Sequence, residues 1–286
     1  MTSRRERAEH RSVSVDLQKV EGQSRHHASD QLAVEEPLEI RIGFFQDGQS
    51  VQRSISITMR TPGEDFELAA GFLFTEMIVD AADQIRSIVH CGRPATGEPR
   101  NVVRVELAPS VSVDLAQLQR NFYTTSSCGV CGKSSIEALQ MGKSPPLAPS
   151  SLRLDPSVLH EFPRRLRASQ ATFDSTGGLH AAGLFSFEGE LVDIREDVGR
   201  HNAVDKLIGT EFLAGRTPLN DRVLMLSGRV SFELVQKALV AGIPVVAAVG
   251  APSSLAIETA RAFGMTIIGF VRDDRFNIYS GESRLL

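Results

Sequence analysis

Two thiols stand closest to chemistry in this chain. Cys128 and Cys131 are two residues apart in Thr124-Thr125-Ser126-Ser127-Cys128-Gly129-Val130-Cys131-Gly132-Lys133. Glycine lacks a Cβ and tolerates positive φ, so this run reads as a mobile arm. A helix is expected at 133–140. Its free N–H groups and dipole, with Lys133, favour a thiolate over a thiol. Three uses fit such a pair. A zinc site needs four ligands, and the arm supplies two, so distant Cys91 or a histidine would have to complete it. A thioredoxin-like redox pair sits at a helix start just after a strand, whereas here a hydroxyl-rich polar run precedes it. A persulfide carrier needs one thiolate that accepts sulfur and hands it on, and a loop of small residues suits visits to two partners. Spacing leaves redox and sulfur transfer level, with zinc behind.

A second group of residues lies where strands run into helices. Ser227-Gly228-Arg229-Val230-Ser231 and Gly250-Ala251-Pro252-Ser253-Ser254 place hydroxyls at helix starts, where free N–H groups hold phosphate. Arg272-Asp273-Asp274-Arg275 offers two guanidiniums suited to bidentate phosphate contacts. Arg195-Glu196-Asp197-Val198-Gly199-Arg200-His201-Asn202 adds two more arginines and a histidine. Taken singly, the serines read as ordinary caps, the arginines as surface charges, and His180 and His201 as core or cap residues. Together on one sheet edge they predict an anionic, phosphate-bearing ligand such as a nucleotide. Neither a P-loop nor a G-x-G-x-x-G fingerprint is present, which disfavours P-loop hydrolysis and dinucleotide redox chemistry.

The elements that must position these residues follow from pattern. Residues 1–36, rich in Arg, Glu, Ser, His and Gln, read as a disordered tail. Leu38, Ile40, Ile42 and Phe44 alternate, Asp47-Gly48 turns, and Val51, Ile55 and Ile57 alternate again, which predicts a hairpin with one buried face. Thr61, Pro62 and Glu64 read as a capping box opening a helix through Phe66, Ala70, Leu73 and Met77. Strands are expected at 85–91, where Cys91 reads as a buried structural thiol, and at 101–107. These form a small α+β domain at 37–122. The arm and a three-proline linker occupy 123–150. A polar helical stretch broken at Pro163 follows. Strands at 181–187 and 191–195 make an antiparallel pair. Helices and strands then alternate, with helices at 200–213, 231–240 and 252–263 and strands at 222–226, 244–249, 266–271 and 277–279. Right-handed crossovers make such a domain, 151–286, a mixed α/β sheet with helices on both faces.

Composition narrows the classes further. With 42% hydrophobic residues the 286-residue chain can bury a core. A net charge of −4, no Trp and two Tyr give no footprint for nucleic acid. No apolar run reaches a membrane span, and the N-terminus has no signal-peptide core. Three cysteines make no disulfide framework, so a reducing cytoplasm is the expected compartment.

Ser127-Cys128-Gly129-Val130-Cys131-Gly132 resembles the signature of the FdhD family, the formate dehydrogenase accessory sulfurtransferases. The likeness continues through Arg60-Thr61-Pro62-Gly63, Glu67-Leu68-Ala69, Gly71-Phe72-Leu73, Gly178-Leu179-His180-Ala181-Ala182 and Arg195 to Lys206. It then takes in Ser227-Gly228-Arg229-Val230-Ser231-Phe232-Glu233, Ala251-Pro252-Ser253-Ser254 and Gly269-Phe270-Val271-Arg272. Motifs this long, in family order, are far more specific than a lone C-x-x-C. The resemblance implies a cytidine-deaminase-like larger domain and a homodimer. It implies a sulfur carrier that takes persulfide sulfur from a cysteine desulfurase. The acceptor it implies is the bis(molybdopterin guanine dinucleotide) molybdenum cofactor, bound as substrate before delivery to formate dehydrogenase, with no resident metal. On the matching positions Cys128 is the carrier, and Phe270, Val271, Arg272, Asp273, Asp274 and Arg275 form the cofactor-binding segment. Ser227, Arg229 and Ser253 are expected beside that segment, and Cys131 in support of Cys128. The deaminase zinc signature is absent, so deaminase chemistry is not implied.

Overall fold

The computed structural model describes residues 11–46, 48–91, 100–111, 113, 147 and 151–286. The expected arm, with Cys128, Cys131 and Lys133, lies outside the described residues. Three sheets are present among those described. The first is a two-stranded hairpin, β1 (Ser12–Glu21) and β2 (Ser24–Ala33). The expectation of disorder over 1–36 therefore fails for this part, while residues 1–10 lie outside the described set. Val13, Val15 and Leu17 alternate along β1, and Val13 and Leu17 face Leu32 and Ala28 across the ladder. Gly22 supplies the positive φ of 61° that the turn requires. Arg11 roots the hairpin by donating from Nη2 to the carbonyl oxygen of Glu196 at 2.6 Å.

The second sheet is built on β3 (Glu36–Gln46) and β4 (Gln49–Arg60), with β5 (Ile85–His90) and β6 (Val102–Leu107), in the order β4-β3-β6-β5. Leu38, Ile40, Ile42 and Phe44 are buried as the alternation predicts. Ile57 is not, at 63% exposed. A bulge leaves Ile55 opposite the step from Ile40 to Arg41 and inverts the alternation beyond it. Helix α1 (Asp65–Thr75) covers the apolar face. It starts later than the capping-box pattern implies. Thr61 is fully buried and spends its hydroxyl on the backbone N–H of Val198 at 3.2 Å. Glu64 holds the cap position in a left-handed conformation, φ 58°.

The third sheet has the order β12-β11-β10-β9-β7-β8. Its strands are β7 (His180–Ser186), β8 (Leu191–Asp197), β9 (Arg222–Leu226), β10 (Val245–Ala248), β11 (Thr266–Gly269) and β12 (Asn277–Ser280). Strands β9, β10 and β11 are parallel, while β7, β8 and β12 run antiparallel to their neighbours. Pro163 sits at the start of a helix, so the break in the polar stretch falls just before it. The result is α2 (Pro156–Leu159) and α3 (Phe162–Ala168), followed by the unforeseen α4 (Ala171–Thr176). Leu159, Phe162 and Leu166 pack on one face of the sheet. Helices α5 (Arg200–Leu213), α6 (Phe232–Val240) and α7 (Ser254–Ala262) contribute to the core on the other. The mixed α/β architecture with helices on both faces is therefore present.

One apolar cluster runs unbroken from Leu38 in the second sheet to Ile267 in the third. Helices α1 and α5 meet across it at two glycines. A Cβ on Gly71 would lie 1.9 Å from the carbonyl oxygen of Asp205, and one on Gly209 1.9 Å from that of Glu67. No side chain fits either place, so the backbones touch. Gly71→Ala is expected to lower stability by about 3 kcal/mol, the upper end for overpacking a core. The midpoint of urea unfolding should fall accordingly, and an unchanged midpoint would contradict this crossing.

Candidate functional site

The carboxyl ends of β9, β10 and β11 share one edge of the third sheet, and the loops leaving them are bonded to one another. Gly250 donates its N–H to Gly228 O at 3.0 Å, and Phe270 donates to Gly250 O at 3.2 Å. Val230 donates to Ala251 O, and Ser253 to Val230 O. A Cβ at Gly250 would stand 2.8 Å from Gly228 O, so only glycine permits this approach. The antiparallel sense of β7 and β8 brings His180 and Asp197, which are register partners, to the same edge.

Each expected residue can now be placed. Ser227 accepts a hydrogen bond from the N–H of Ala181 at 2.8 Å, so its hydroxyl holds β7. Ser253 caps α7 by accepting from Ala256 N. Both keep the ordinary structural roles that serines have at such positions. Val271 is fully buried in the core, which leaves only its backbone for any ligand. Phe270 is 40% exposed and has φ 55°. A non-glycine residue in that region costs about 1–2 kcal/mol and needs surroundings that enforce it. Arg272 donates from Nη1 to Val249 O at 2.9 Å, so its guanidinium lies over the end of β10. Its backbone N–H closes a turn with Arg275 O at 2.8 Å, which fixes Asp273 and Asp274 at the tip. Arg229 and Arg275 are exposed, and no described residue pairs with either guanidinium.

Three further cationic or ionisable groups join this edge: Arg200 and His201, expected there with their turn, and His180, which taken singly reads as a core or cap residue. His201 Nε2 lies 3.3 Å from Ser231 Oγ and 3.9 Å from Glu233 Oε2, which ties the start of α5 to the start of α6. His201 beside it holds the Glu233 carboxyl down to about 2. The Nε of Arg200 is buried with no hydrogen-bond partner among the described residues. Burial, then the charge of Arg200, then that of His201, lowers the His180 pKa from its ordinary 6.5. The signal in the sequence was the spacing of His180 and Arg200 from the two ends of one antiparallel pair, which becomes an adjacency only through register. The edge therefore gathers positive charge at the ends of parallel strands, where an anion is best held.

The FdhD/NarQ family matches residues 33–286. The chain belongs to that family. Among its relatives, a protein of Streptomyces avermitilis called sulfur carrier protein FdhD is 52% identical, covering 90% of this chain and 89% of its own length. The sulfur carrier protein FdhD of Mycobacterium tuberculosis is 47% identical, covering 91% and 96% respectively. A crystal structure described as that of a formate dehydrogenase accessory protein from Desulfotalea psychrophila superposes with a TM-score of 0.73 at 26% identity. It covers 96% of this chain and 99% of that one. The FdhD/NarQ match thus spans the second and third sheets and leaves β1, and all of β2 but Ala33, ahead of the matched region.

The His180 environment has a measurable sign. Its folded pKa lies below 6.5, so the unfolded chain binds more protons at lower pH. The contribution of neutral His180 to stability is intact above pH 6.5 and is lost as pH falls below it. By NMR titration its midpoint should lie below 6.5 and move upward in Arg200→Gln. A midpoint indifferent to Arg200 would contradict the shared positive edge.

Proposed function

We propose that this protein is a sulfur carrier for formate dehydrogenase maturation. It accepts persulfide sulfur from a cysteine desulfurase and passes it to the bis(molybdopterin guanine dinucleotide) molybdenum cofactor. The observation that carries this reading is the near-full-length identity, about half of all positions, to proteins named as sulfur carriers of this family. The sheet edge supports the second half of it. Diphosphates of a guanine dinucleotide match Arg229, Arg272 and Arg275, with Phe270 presenting an exposed ring for a base. Cytoplasmic location and assembly as a homodimer belong to the same reading.

The chemistry runs through the arm. The Cys128 thiolate attacks the terminal sulfur of a desulfurase persulfide. The donor's S–S bond breaks, its cysteine leaves as a thiolate, and Cys128 carries the persulfide. For release, the Cys131 thiolate attacks the sulfur of Cys128. The bond to the terminal sulfur breaks and hydrosulfide departs toward the cofactor. The two cysteines supply the two electrons and end as a disulfide, which a cellular dithiol must reduce before the next cycle.

Binding and transfer separate experimentally. Replacing Arg272 and Arg275 with Gln should weaken guanosine diphosphate binding at least tenfold while leaving persulfide loading intact. In the converse case, Cys128→Ala should bind the nucleotide normally and yield inactive formate dehydrogenase. Nucleotide affinity unchanged without the two arginines would remove the phosphate assignment, and full maturation by Cys128→Ala would remove the carrier.

A further inference from the structure

Arg200 differs from the other unpaired arginines of the sheet edge in being partly buried. Its Nε is buried without a hydrogen-bond partner, and no carboxylate among the described residues pairs with its guanidinium. The carboxylates around it are committed. Asp197 is bound to Lys206 at 2.7 Å, Glu196 accepts the N–H groups of Thr172 and Phe173 at 3.1 and 2.9 Å, and Glu233 lies by His201. A guanidinium withdrawn from water without a counter-charge is costly, which points to an anion supplied from outside the fold. His180 and His201 stand beside it, since the charges of Arg200 and His201 both act on the His180 ring. That ring lies against the turn after β9, where a Cβ on Gly228 would meet its Nδ1 at 3.3 Å. Gly199 gives α5 no side-chain cap, so the first N–H groups of the helix open beside the same cations. This group is set apart from Arg272 and Arg275. Strands β9 and β10 lie between β7 and β11, which makes three steps of about 4.8 Å each. The faces differ as well. Helix α5 packs with α6 and α7, whereas the turn of Arg272 leans on the end of α2, where His160 Nδ1 is 2.9 Å from Arg272 O.

We propose that Arg200, His180 and His201 form a second oxyanion subsite, on the α5 side of the edge, for a phosphate group other than the one assigned to Arg272 and Arg275. This subsite deepens the cofactor reading above and rests on it. A cofactor with two guanine dinucleotides carries two diphosphates, and the edge offers two cation groups on opposite faces of one sheet. The planar guanidinium supplies parallel donors to phosphate oxygens, and each imidazole supplies a further N–H. A free phosphate or diphosphate meets the same chemistry.

Calorimetry of the full chain with guanosine diphosphate and with inorganic pyrophosphate counts the sites. The chain carrying both Arg272→Gln and Arg275→Gln should lose its tighter site and keep one weaker site per chain. Adding Arg200→Gln should weaken that remaining site at least tenfold, and Arg200→Lys should restore part of the loss. A remaining site that prefers guanosine diphosphate at least tenfold would assign the second arm of the cofactor. One that takes pyrophosphate equally well or better would assign a free oxyanion. Without ligand, Arg200→Gln should melt at the same temperature or higher, because it removes an unpaired charge. A double variant that has lost all binding would overturn the second subsite and leave the first in place, whereas an unaltered chain that binds neither probe would remove both. A remaining site indifferent to Arg200→Gln, or a destabilised Arg200→Gln, would also overturn it.

Discussion

Everything at the sheet edge depends on one buried ion pair. Lys206 and Asp197 are both fully buried, and their Nζ and Oδ2 lie 2.7 Å apart. Removing two charges from water is expensive, so such a pair persists only where its remaining bonding capacity is filled. Here it is filled by the other half of the molecule. Lys206 donates to Thr61 O at 2.8 Å, and Thr61 donates its N–H to Asp197 at 3.1 Å. Asn202 adds a bond to Met59 O at 2.7 Å and one to Asp197 at 3.0 Å. The last residue of β8 is thereby locked to the turn before α1. That lock also fixes the start of α5, where Arg200 and His201 project. A second buried lysine repeats the device one helix away, with Lys237 held by Asp205 at 3.0 Å and Thr75 at 2.9 Å.

The same lock connects two polar regions of different character. The sheet edge collects cations, and the His180 pKa is lowered there first by burial and then by the charges of Arg200 and His201. A cavity beyond Thr61 is lined by Glu36, Glu64 and Asp65 together with Arg60 and Arg100. The cation-rich edge and the carboxylate-rich cavity flank a single junction, the buried ion pair and its bonds. The glycine crossing of α1 and α5 sets their separation, because neither helix can shift without meeting backbone.

Much of this was legible in the sequence, and the losses have causes. The strands and helices of the third sheet have strong local patterns, and their loops were read as one edge because parallel topology demands it. What local pattern cannot carry is the use of a side chain by a distant partner. Thr61 looks like a helix cap, but its hydroxyl serves Val198, 137 residues away. Lys206 and Asp197 look like surface charges until burial is known. Ile57 looks inward until the bulge at Ile40 is counted. The hairpin of β1 and β2 was missed because its composition is polar, and its order comes from ladder pairing and from Arg11 rather than from a core.

The central claim is that Cys128 carries sulfur as a persulfide. It is tested most directly by mass spectrometry of the peptide containing both arm cysteines, after incubation with a cysteine desulfurase and cysteine. The account predicts one added sulfur on that peptide, removed by a dithiol and located on Cys128. A peptide of unchanged mass, or one carrying the sulfur on Cys131 alone, would contradict it.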